Sequence, residues 1–285
     1  YQMLGGRTNE KLRAYASQIQ FDWDLEDACL SQPEEYAEAA RKAISQGYTA
    51  VKVDPIGFSA SGVWQRTVKS PEWRTMGQLP KNVLEMVRAR LKAIRDASDT
   101  LDIIIELHAF TDTSTAIQLA NYVDDLGIMY YEEPEHPLNA VTMREIKSNI
   151  KIPVASGERI YGRLGFRPFF ESRALDIIQP DVCNCGGISE VKKICDMAHA
   201  FDVGIQVHVA GSPLATNAAL HVECAIPNFV IHEHHTCNRM DTCLGLTKYN
   251  LQPENGWFSV PEEPGIGNEF LREAIEKAVM YKMIE

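Results

Sequence analysis

The stretch IIIELHAF at residues 103–110 sets three isoleucines directly before a glutamate, a leucine and a histidine. A run of β-branched apolar residues predicts a buried strand. Side chains alternate along a strand, so Glu106 and His108 are expected to point to the same side. Burying a carboxylate or an imidazole without partners is costly. The stretch therefore predicts a buried strand whose polar end belongs to a functional site.

Strand-like and helix-like segments alternate on both sides of this stretch. Eight strands are expected, at 12–21, 48–55, 101–110, 128–134, 152–158, 176–181, 204–210 and 229–235. Helices are expected at 33–47, 79–97, 113–127, 139–149, 165–174, 187–202 and 212–225, with a closing helix within 265–284. Residues 56–79 are expected to form an irregular insert, whose Trp64 and Trp73 either line a substrate-binding mouth or pack the insert onto the fold.

Alternating strands and helices predict a parallel sheet, and eight such units predict a (β/α)₈ TIM-type barrel of the α/β class. An open doubly wound sheet is the alternative, and it would place a glycine-rich phosphate loop after the first strand. The sequence there, FDWDLEDA at 21–28, contains no glycine, so the barrel is favoured. We expect residues 1–285 to form one catalytic barrel domain, with the C-terminal segment 250–285 packing on or closing the barrel.

Composition narrows the classes of partner. The chain of 285 residues carries a formal net charge of −11, which argues against nucleic acid and anionic membrane surfaces. No apolar run reaches the ~18 residues of a transmembrane helix, and the first residues, YQMLGGRTNEKLR, lack a signal-peptide pattern. Seven cysteines without paired spacing indicate free thiols in a reducing compartment. We therefore expect a cytoplasmic protein that binds a small molecule.

Polar residues end the expected strands, and in a barrel the carboxyl ends of the strands carry the chemistry. Glu106, Glu132 and Glu158 follow one another at intervals of 26 residues, which places them on three neighbouring strands. Neighbouring strands lie about 4.8 Å apart, so three unpaired carboxylates there would repel one another strongly. Oxygen-only ligands favour Mg²⁺ or Mn²⁺. The spacing therefore predicts a divalent metal site, and a set of surface salt bridges near loops is the alternative.

Asp181 and His208 end the next two expected strands. A carboxylate that orients an imidazole makes a competent general base, although a histidine in this position can also be a satisfied core residue. His108 is expected across the barrel mouth from His208. Two titratable groups on opposite sides of one metal-bound ligand suit proton removal on one side and proton delivery on the other.

Eight short motifs follow one another along nearly the whole chain: YQMLGG, VKVD, ELHAFTD, YYEEP, SGERIYGR, IIQPDVCNCGG, VHVAGSP and IHEHH. Their order resembles the enolase superfamily, in particular the mandelate racemase branch and its galactonate and gluconate dehydratases. Enolase-superfamily sites use a lysine or histidine base together with Mg²⁺. The resemblance implies Mg²⁺ as the cofactor, with Glu106, Glu132 and Glu158 as its ligands. It also implies an acid sugar as substrate and assembly into a homo-oligomer.

The same resemblance implies a role for other polar strand ends. Asp181 and His208 would form the dyad whose histidine removes the proton α to a carboxylate. His108 would protonate the departing 3-hydroxyl. Glu233 would hydrogen-bond the substrate carboxylate as it becomes an enediolate. Such a dianionic intermediate needs a fixed cation and hydrogen-bond donors, because the α-proton of a carboxylate is barely acidic.

Substrate binding is assigned to Lys52, Asp54 and Arg159, with Lys52 helping to neutralise the carboxylate.

The sequence departs from the family pattern in three ways. The first metal ligand is usually aspartate, and here it is Glu106. Racemases of this branch carry Lys-x-Lys on the second strand, whereas Asp54 stands in the second lysine position, which disfavours two-base racemisation by the usual pair. The chain also begins where the family's N-terminal α+β capping domain would end, so we expect that domain to be absent here, as a truncation or supplied by another chain.

The leading hypothesis is a Mg²⁺-dependent hydro-lyase that converts an aldonate or aldarate to a 2-keto-3-deoxy acid. A cycloisomerase or epimerase that acts on an acid sugar or its lactone through the same enediolate is the alternative. A Schiff-base aldolase with Lys52 as nucleophile would leave the three glutamates without a task. A non-catalytic relative is the remaining possibility.

Overall fold

The computed structural model describes residues 1–23, 28–66 and 73–277. The strands are β1 (Leu12–Ser17), β2 (Ala50–Val53), β3 (Asp102–Glu106), β4 (Ile128–Glu132), β5 (Val154–Ser156), β6 (Ile177–Ile178), β7 (Gly204–Ile205), β8 (His232–His235) and β9 (Trp257–Phe258). Eight of them pair in the order β7-β6-β5-β4-β3-β2-β1-β8, and every pair in that order is parallel. Ile205 of β7 also pairs with Phe229, just before β8, so the sheet closes into the expected (β/α)₈ barrel.

Helices follow the strands and cover the outside of the barrel. They are α1 (Pro33–Ser45), α2 (Lys81–Ala97), α3 (Thr113–Tyr122), α4 (Ala140–Asn149), α5 (Gly162–Glu171), α6 (Gly187–Ala200), α7 (Pro213–Cys224), α8 (Asp241–Leu244) and α9 (Arg272–Lys277). Side-chain caps fix several of the helix starts. Asp112 accepts from the backbone N–H of Thr115 at the start of α3, and Asn139 caps α4 in the same way. The expected helices are therefore present, with ends that differ by a few residues.

Alternate residues of β3 belong to two separate cores. Ile103 and Ile105 pack outward against the helices, whereas Ile104 packs inside the barrel. The interior cluster consists of Tyr15, Ala50, Ile104, Tyr130, Ala155, Ile177 and Ile231, one residue from each of seven strand segments. This apolar layer fills the middle of the barrel, so the next inward-facing residue of each strand lies above it, at the carboxyl end.

The first strand is shorter than the expected segment 12–21. β1 ends at Ser17 because Gln18 adopts a left-handed backbone conformation, with φ of 67°, and Ile19–Phe21 form a 3₁₀ turn. Non-glycine residues rarely adopt that conformation, and the neighbours Ser17 and Ile19 gave no sign of it in the sequence. The side chains of Gln18 and Gln20 are consequently brought to the barrel mouth instead of continuing the strand.

The fifth strand also ends early, at Ser156, so Glu158 lies in a turn instead of in a strand as expected. Gly157 makes this turn, and a Cβ atom there would lie only 2.5 Å from the backbone nitrogen of Gln179. Only glycine fits such a close approach of two chain segments. The turn carries Glu158 over the mouth beside the ends of β3 and β4.

The insert after β2 is anchored by a buried arginine of α2. The guanidinium of Arg90 donates to the carbonyl oxygens of Pro55, Phe58 and Ser59 at 2.8, 2.7 and 3.0 Å. Trp64 packs against Phe58, with ring centroids 4.9 Å apart, which favours the packing interpretation of this residue. Residues 67–72 of the insert lie outside the described residues.

The chain after β8 adds elements that the sequence did not reveal. β9 pairs antiparallel with the start of β1, through Leu12 with Phe258 and Arg13 with Trp257. The closing helix expected within 265–284 is represented by α9, and residues 278–285 lie outside the described part of the chain. Across 1–23, 28–66 and 73–277, no helix is both long enough and apolar enough to cross a bilayer.

Candidate active site

A polar layer lies directly above the apolar interior cluster. Its residues stand two positions after the cluster residues of their strands, and they are Ser17, Lys52, Glu106, Glu132, Gln179 and Glu233. Each is at most 1% exposed. The two-residue period of a strand therefore explains why ionisable groups end up buried together at this level of the barrel. One cation faces three carboxylates in this layer, and a fourth carboxylate, Glu158, lies over it.

Glu106, Glu132 and Glu158 meet as the sequence spacing predicted. Each offers one carboxylate oxygen, and these oxygens all lie within 4.8 Å of one another. Oε2 of Glu106 and Oε2 of Glu132 are buried and accept no hydrogen bond from any described residue. Buried carboxylate oxygens that lack donors and face one another fit a divalent cation with oxygen ligands. The donor set is all carboxylate, which suits Mg²⁺ or Mn²⁺ better than a softer metal.

The pKa values of these carboxylates reflect mutual repulsion. Burial, followed by the charge of Glu106, raises the pKa of Glu132 well above its usual range, although Lys52 opposes the shift. Burial also raises the pKa of Glu158, with a smaller contribution from Glu106. Glu106 shifts the other way, because His108, Glu132 and Lys52 together outweigh burial and lower its pKa. Without a divalent metal ion, the three carboxylates together therefore tend to hold a proton. A bound divalent ion would displace that proton.

Lys52 lies beneath the metal-ligand candidates. Its Nζ is 2.7 Å from Oε1 of Glu132, 2.8 Å from Oε1 of Glu233 and 3.4 Å from Oε2 of Glu106, and the side chain is 1% exposed. Burial opposes the charge of Lys52, but the three carboxylates raise its pKa well above the usual value. The ammonium is therefore a permanent internal counter-ion. Its expected contact with a substrate carboxylate stays a prediction.

His208 and Asp181 form a hydrogen-bonded pair. Nδ1 of His208 lies 2.7 Å from Oδ2 of Asp181, and Oδ1 of Asp181 accepts from the backbone N–H groups of Cys183 and Asn184. Burial favours the neutral ring, but the bond to Asp181 and the charges of Glu233 and Glu158 raise the pKa of His208 to about 9. Because Asp181 occupies Nδ1, the other nitrogen, Nε2, faces the mouth and lies 3.3 Å from Oε2 of Glu158.

His108 has a carboxylate partner of its own. Nδ1 of His108 lies 3.2 Å from Oδ2 of Asp54, and Arg66 donates to the same oxygen through Nε at 2.9 Å and Nη2 at 2.5 Å. Burial opposes the charged ring, but Glu106 and Asp54 raise the pKa of His108. Burial likewise opposes the charge of Asp54, and Arg66 and His108 lower its pKa. The site thus contains two Asp–His pairs, one at the end of β3 and one after β7.

Glu233 lies between the two sides of the site. Its Oε1 accepts from Oγ of Ser17 at 2.8 Å, and its Oε2 accepts from the backbone N–H of Val209 at 3.0 Å. Burial opposes its charge, yet Lys52 and His208 lower its pKa. Oε2 of Glu233 is 4.0 Å from Nε2 of His208. An ionised Glu233 is positioned to stabilise a positive charge on His208, and its expected hydrogen bond to the substrate carboxylate stays a prediction.

Arg159 contacts one of the three metal-ligand candidates, Glu158. Its guanidinium pairs with Glu133 and lies 3.1 Å from Oε1 of Glu158. The side chain is 39% exposed at the mouth. The geometry gives Arg159 a part in holding Glu158, and its assigned role in substrate binding stays a prediction.

Sequence reasoning missed five polar residues of the site: Ser17, Gln18, Gln20, Arg66 and Gln179. The first three lie in a segment that was expected to be strand throughout. Arg66 lies in the irregular insert, twelve positions after Asp54, and no periodic pattern links the two. Lys52-Val53-Asp54 was the available signal, because a buried aspartate at a strand end requires a nearby cation or donor.

Comparison with known proteins places this geometry in a family. The sequence profile described as "Enolase C-terminal domain-like" matches residues 35–274. The chain belongs to this family. The crystal structure of a member of the enolase superfamily from Salmonella Typhimurium is 50% identical, with a TM-score of 0.93 over 97% of this chain and 70% of that one. The resemblance to the enolase superfamily that the motifs indicated is therefore confirmed.

Curated relatives are named for reactions of acid sugars or of an acid-sugar lactone. The D-gluconate/D-galactonate dehydratase of Picrophilus torridus is 29% identical over 286 residues, covering 100% of this chain and 67% of the relative. The D-galactarolactone cycloisomerase of Agrobacterium fabrum is 30% identical over 284 residues, covering 96% of this chain and 66% of the relative. The chain spans between 51% and 67% of the length of the first three curated dehydratases it matches. The chain thus resembles family members named as sugar-acid dehydratases and one named as a cycloisomerase of a sugar-acid lactone.

Proposed function

We propose that the protein is a Mg²⁺-dependent dehydratase of an acid sugar, an aldonate or an aldarate, and that it releases a 2-keto-3-deoxy acid. One arrangement carries the proposal: a triad of carboxylates flanked by two histidines, each bonded through Nδ1 to an aspartate. The names of the dehydratase relatives support the acid-sugar class of substrate. The homo-oligomer expected from the resemblance stays a prediction.

Glu106, Glu132 and Glu158 would hold the Mg²⁺. The buried Oε2 atoms of Glu106 and Glu132, which accept no hydrogen bond from the described residues, support this assignment. The bound ion would supply a fixed positive charge that stabilises the carboxylate of the substrate as it gains electron density. Lys52 keeps Glu132 and Glu106 oriented from below, so that their oxygens are in place before a ligand binds.

His208 removes the proton from C2 of the substrate. Asp181 holds Nδ1, so Nε2 points into the mouth. The neutral ring accepts the proton there, and the pKa of about 9 makes this form more abundant as the pH rises. The imidazolium that forms is stabilised by Asp181 on one side and by Glu158 and Glu233 on the other. Burial of these groups strengthens the charge interactions, because water does not screen them.

His108 delivers a proton to the hydroxyl that leaves from C3. The electron pair of the C2–H bond first enters the enediolate, and then forms the C2–C3 double bond of the enol as the C3–O electron pair departs with the oxygen. The oxygen takes a proton from Nε2 of His108 and leaves as water. The enol gains a proton at C3 and loses the proton of its C2 hydroxyl, which gives the 2-keto-3-deoxy acid. Asp54, which Arg66 holds, bonds Nδ1 of the ring and leaves Nε2 directed toward the substrate.

A cycloisomerase or epimerase is the second candidate. The two Asp–His pairs favour it, since a second histidine can exchange a proton with the enediolate instead of assisting a leaving group. The named cycloisomerase relative supports it as well. Both candidates use the same enediolate and differ in the fate of the 3-hydroxyl.

Product analysis tests the proposal. The full-length protein is incubated with Mg²⁺ and a panel of aldonates, aldarates and their lactones, and the products are separated by mass. Loss of water and appearance of a 2-keto-3-deoxy acid, abolished in His208→Asn, is the expected result. A product of unchanged mass would favour the second candidate, and turnover of no acid by the metal-loaded protein would refute both.

A further inference from the structure

Asp54, Gln20, Gln18 and His108 close a ring of hydrogen bonds at the mouth. The backbone N–H of Asp54 can only donate, and it donates to Oε1 of Gln20 at 3.2 Å. The amide nitrogen of Gln20 therefore faces Gln18 and donates to its Oε1. The amide nitrogen of Gln18 then lies 3.3 Å from Nε2 of His108, and Nδ1 of His108 returns to Asp54 at 3.2 Å.

The backbone N–H of Asp54 determines which group donates and which accepts in each of the other hydrogen bonds of this ring. The orientation of a glutamine amide is fixed by its network, and here a backbone N–H fixes it. Gln18 therefore presents N–H groups, and not its carbonyl oxygen, to the site. Ionised Asp54 can only accept, so a neutral His108 carries its hydrogen on Nδ1 and accepts on Nε2.

The fold holds Gln18 in place at some cost. Gln18 is 5% exposed and Gln20 is fully buried. The φ angle of Gln18 is 67°, a conformation that is strained for a long side chain. Strained residues that persist in a native fold cluster at functional sites. A structural glutamine would fit equally well on a regular strand, so this placement points to a task at the mouth.

Gln18 shares its target with His108. The amide nitrogen of Gln18 and Nε2 of His108 are 3.3 Å apart. An oxygen atom that is hydrogen-bonded to Nε2 of His108 therefore also lies within hydrogen-bonding distance of the Gln18 amide. That amide has two hydrogens, and His108 can accept only one of them. We propose that Gln18 donates a hydrogen bond to the substrate hydroxyl that reacts at His108, and that Gln20 is the positioning residue that keeps the donor facing it. The inference rests on the proposed function.

The chemistry of elimination explains why a donor is needed there. Negative charge grows on the oxygen as the C3–O bond breaks, and an N–H group fixed beforehand stabilises that charge. When Nε2 of His108 carries the proton for this step, it no longer accepts from Gln18. Both groups then donate to the leaving oxygen, and only the proton of His108 is transferred. Gln18 would also favour acid sugars that carry a hydroxyl at this carbon. An acid sugar without that hydroxyl would leave one N–H group of the Gln18 amide without an acceptor.

Binding to an inactive variant tests the contact. In the His208→Asn protein with Mg²⁺, calorimetry gives the Kd of D-gluconate, D-galactonate and D-xylonate and of their 3-deoxy counterparts. Adding Gln18→Leu should weaken binding of the best parent acid about tenfold, the effect of one buried hydrogen bond. Binding of its 3-deoxy counterpart should stay the same, which also shows that the double variant is folded.

Two further variants test whether Gln18 must donate a hydrogen bond or whether the shape of its side chain is sufficient. Gln18→Glu keeps the shape and can only accept while ionised, so it should weaken the parent acid at least as much as Gln18→Leu. Gln20→Leu frees the Gln18 amide to turn and should give a smaller loss, again confined to the parent acid. Equal losses for the parent and 3-deoxy acids, or a loss for neither, would overturn the inference. Failure of the His208→Asn protein to bind any of the three parent acids would refute the proposed function and the inference with it.

Discussion

Nζ of Lys52 lies 2.7 Å from Oε1 of Glu132 inside the barrel, and both side chains are 1% exposed. Removing the charge of Lys52 would leave Glu132, and with it Glu106 and Glu233, buried without their cation. Lys52→Met should therefore lower the free energy of unfolding by about 3–5 kcal/mol, the usual cost of breaking a buried ion pair. Urea denaturation followed by circular dichroism measures the change.

An exposed ion pair supplies the matched control. Lys151 lies 2.7 Å from Asp124, but its side chain is 84% exposed. Lys151→Met should leave the free energy of unfolding nearly unchanged, because water screens the pair. Similar losses in the two variants would show that the interior cation has no special role.

Glu132→Gln separates the metal-loaded state from the metal-free one. In excess EDTA the variant should be at least as stable as the wild type, because it removes one of several carboxylates that repel one another, and Lys52 keeps Glu233 and Glu106 as partners. Added Mg²⁺ should raise the melting temperature of the wild type, since a ligand that binds only the folded state stabilises it. The variant should lose most of that increase, because it lacks one of the three ligands.

Glu145→Gln is the control for the metal experiment, as Glu145 is exposed on α4. This variant should gain stability from Mg²⁺ as the wild type does. A full Mg²⁺ response in Glu132→Gln would contradict the assignment of the triad as the metal site.

The stability of the metal-free protein should depend on His208 at alkaline pH. Its pKa is raised to about 9 in the folded protein, compared with about 6.5 for an unfolded histidine. The raised pKa contributes stability that is fully present below about pH 6.5 and is lost as the pH rises through about 9. Asp181→Asn removes the strongest favourable partner of the ring, so the stability difference from wild type should shrink by about 1–2 kcal/mol between pH 6 and pH 10.

Urea denaturation in EDTA across this pH range checks the dependence. Asp196→Asn is the control, because Asp196 is exposed and pairs with Lys192 on the helix surface. Its difference from wild type should stay constant over the same range. A stability difference for Asp181→Asn that grows toward pH 10 would contradict the linkage.

The sequence predicted the parts of the molecule that follow from periodicity. Apolar strands and amphipathic helices alternate along the chain in eight units, and this alternation predicts the barrel. Glu106 and Glu132 stand at the last positions of their strands, so the two-residue alternation was enough to place them inside the mouth. The Asp181–His208 contact was likewise predictable from neighbouring parallel strands, although β6 and β7 end at Ile178 and Ile205 and the two residues pair in a separate parallel bridge three positions later.

The remainder depends on backbone conformations that no periodic pattern encodes. The left-handed turn at Gln18 creates the hydrogen-bonded ring with His108, and the turn at Gly157 carries Glu158 over the mouth. Arg66 reaches Asp54 from an insert that Arg90 holds through backbone carbonyls. In each case the contact is set by a loop whose path is determined by tertiary hydrogen bonds, and local sequence carries little information about such paths.

Proton exchange at C2 should distinguish the two histidines. In D₂O, a His108→Asn protein should still exchange the C2 hydrogen of an acid sugar for deuterium, because His208 remains to remove it, while dehydration falls by about 10²–10⁴-fold. His208→Asn should lose both exchange and dehydration. His199→Asn, which changes an exposed histidine of α6, should retain both. Proton NMR of the C2 signal measures exchange, and the 2-keto-3-deoxy product measures dehydration. Exchange that survives in His208→Asn and disappears in His108→Asn would reverse the two roles, since it would make the Asp54–His108 pair the base and the Asp181–His208 pair the acid.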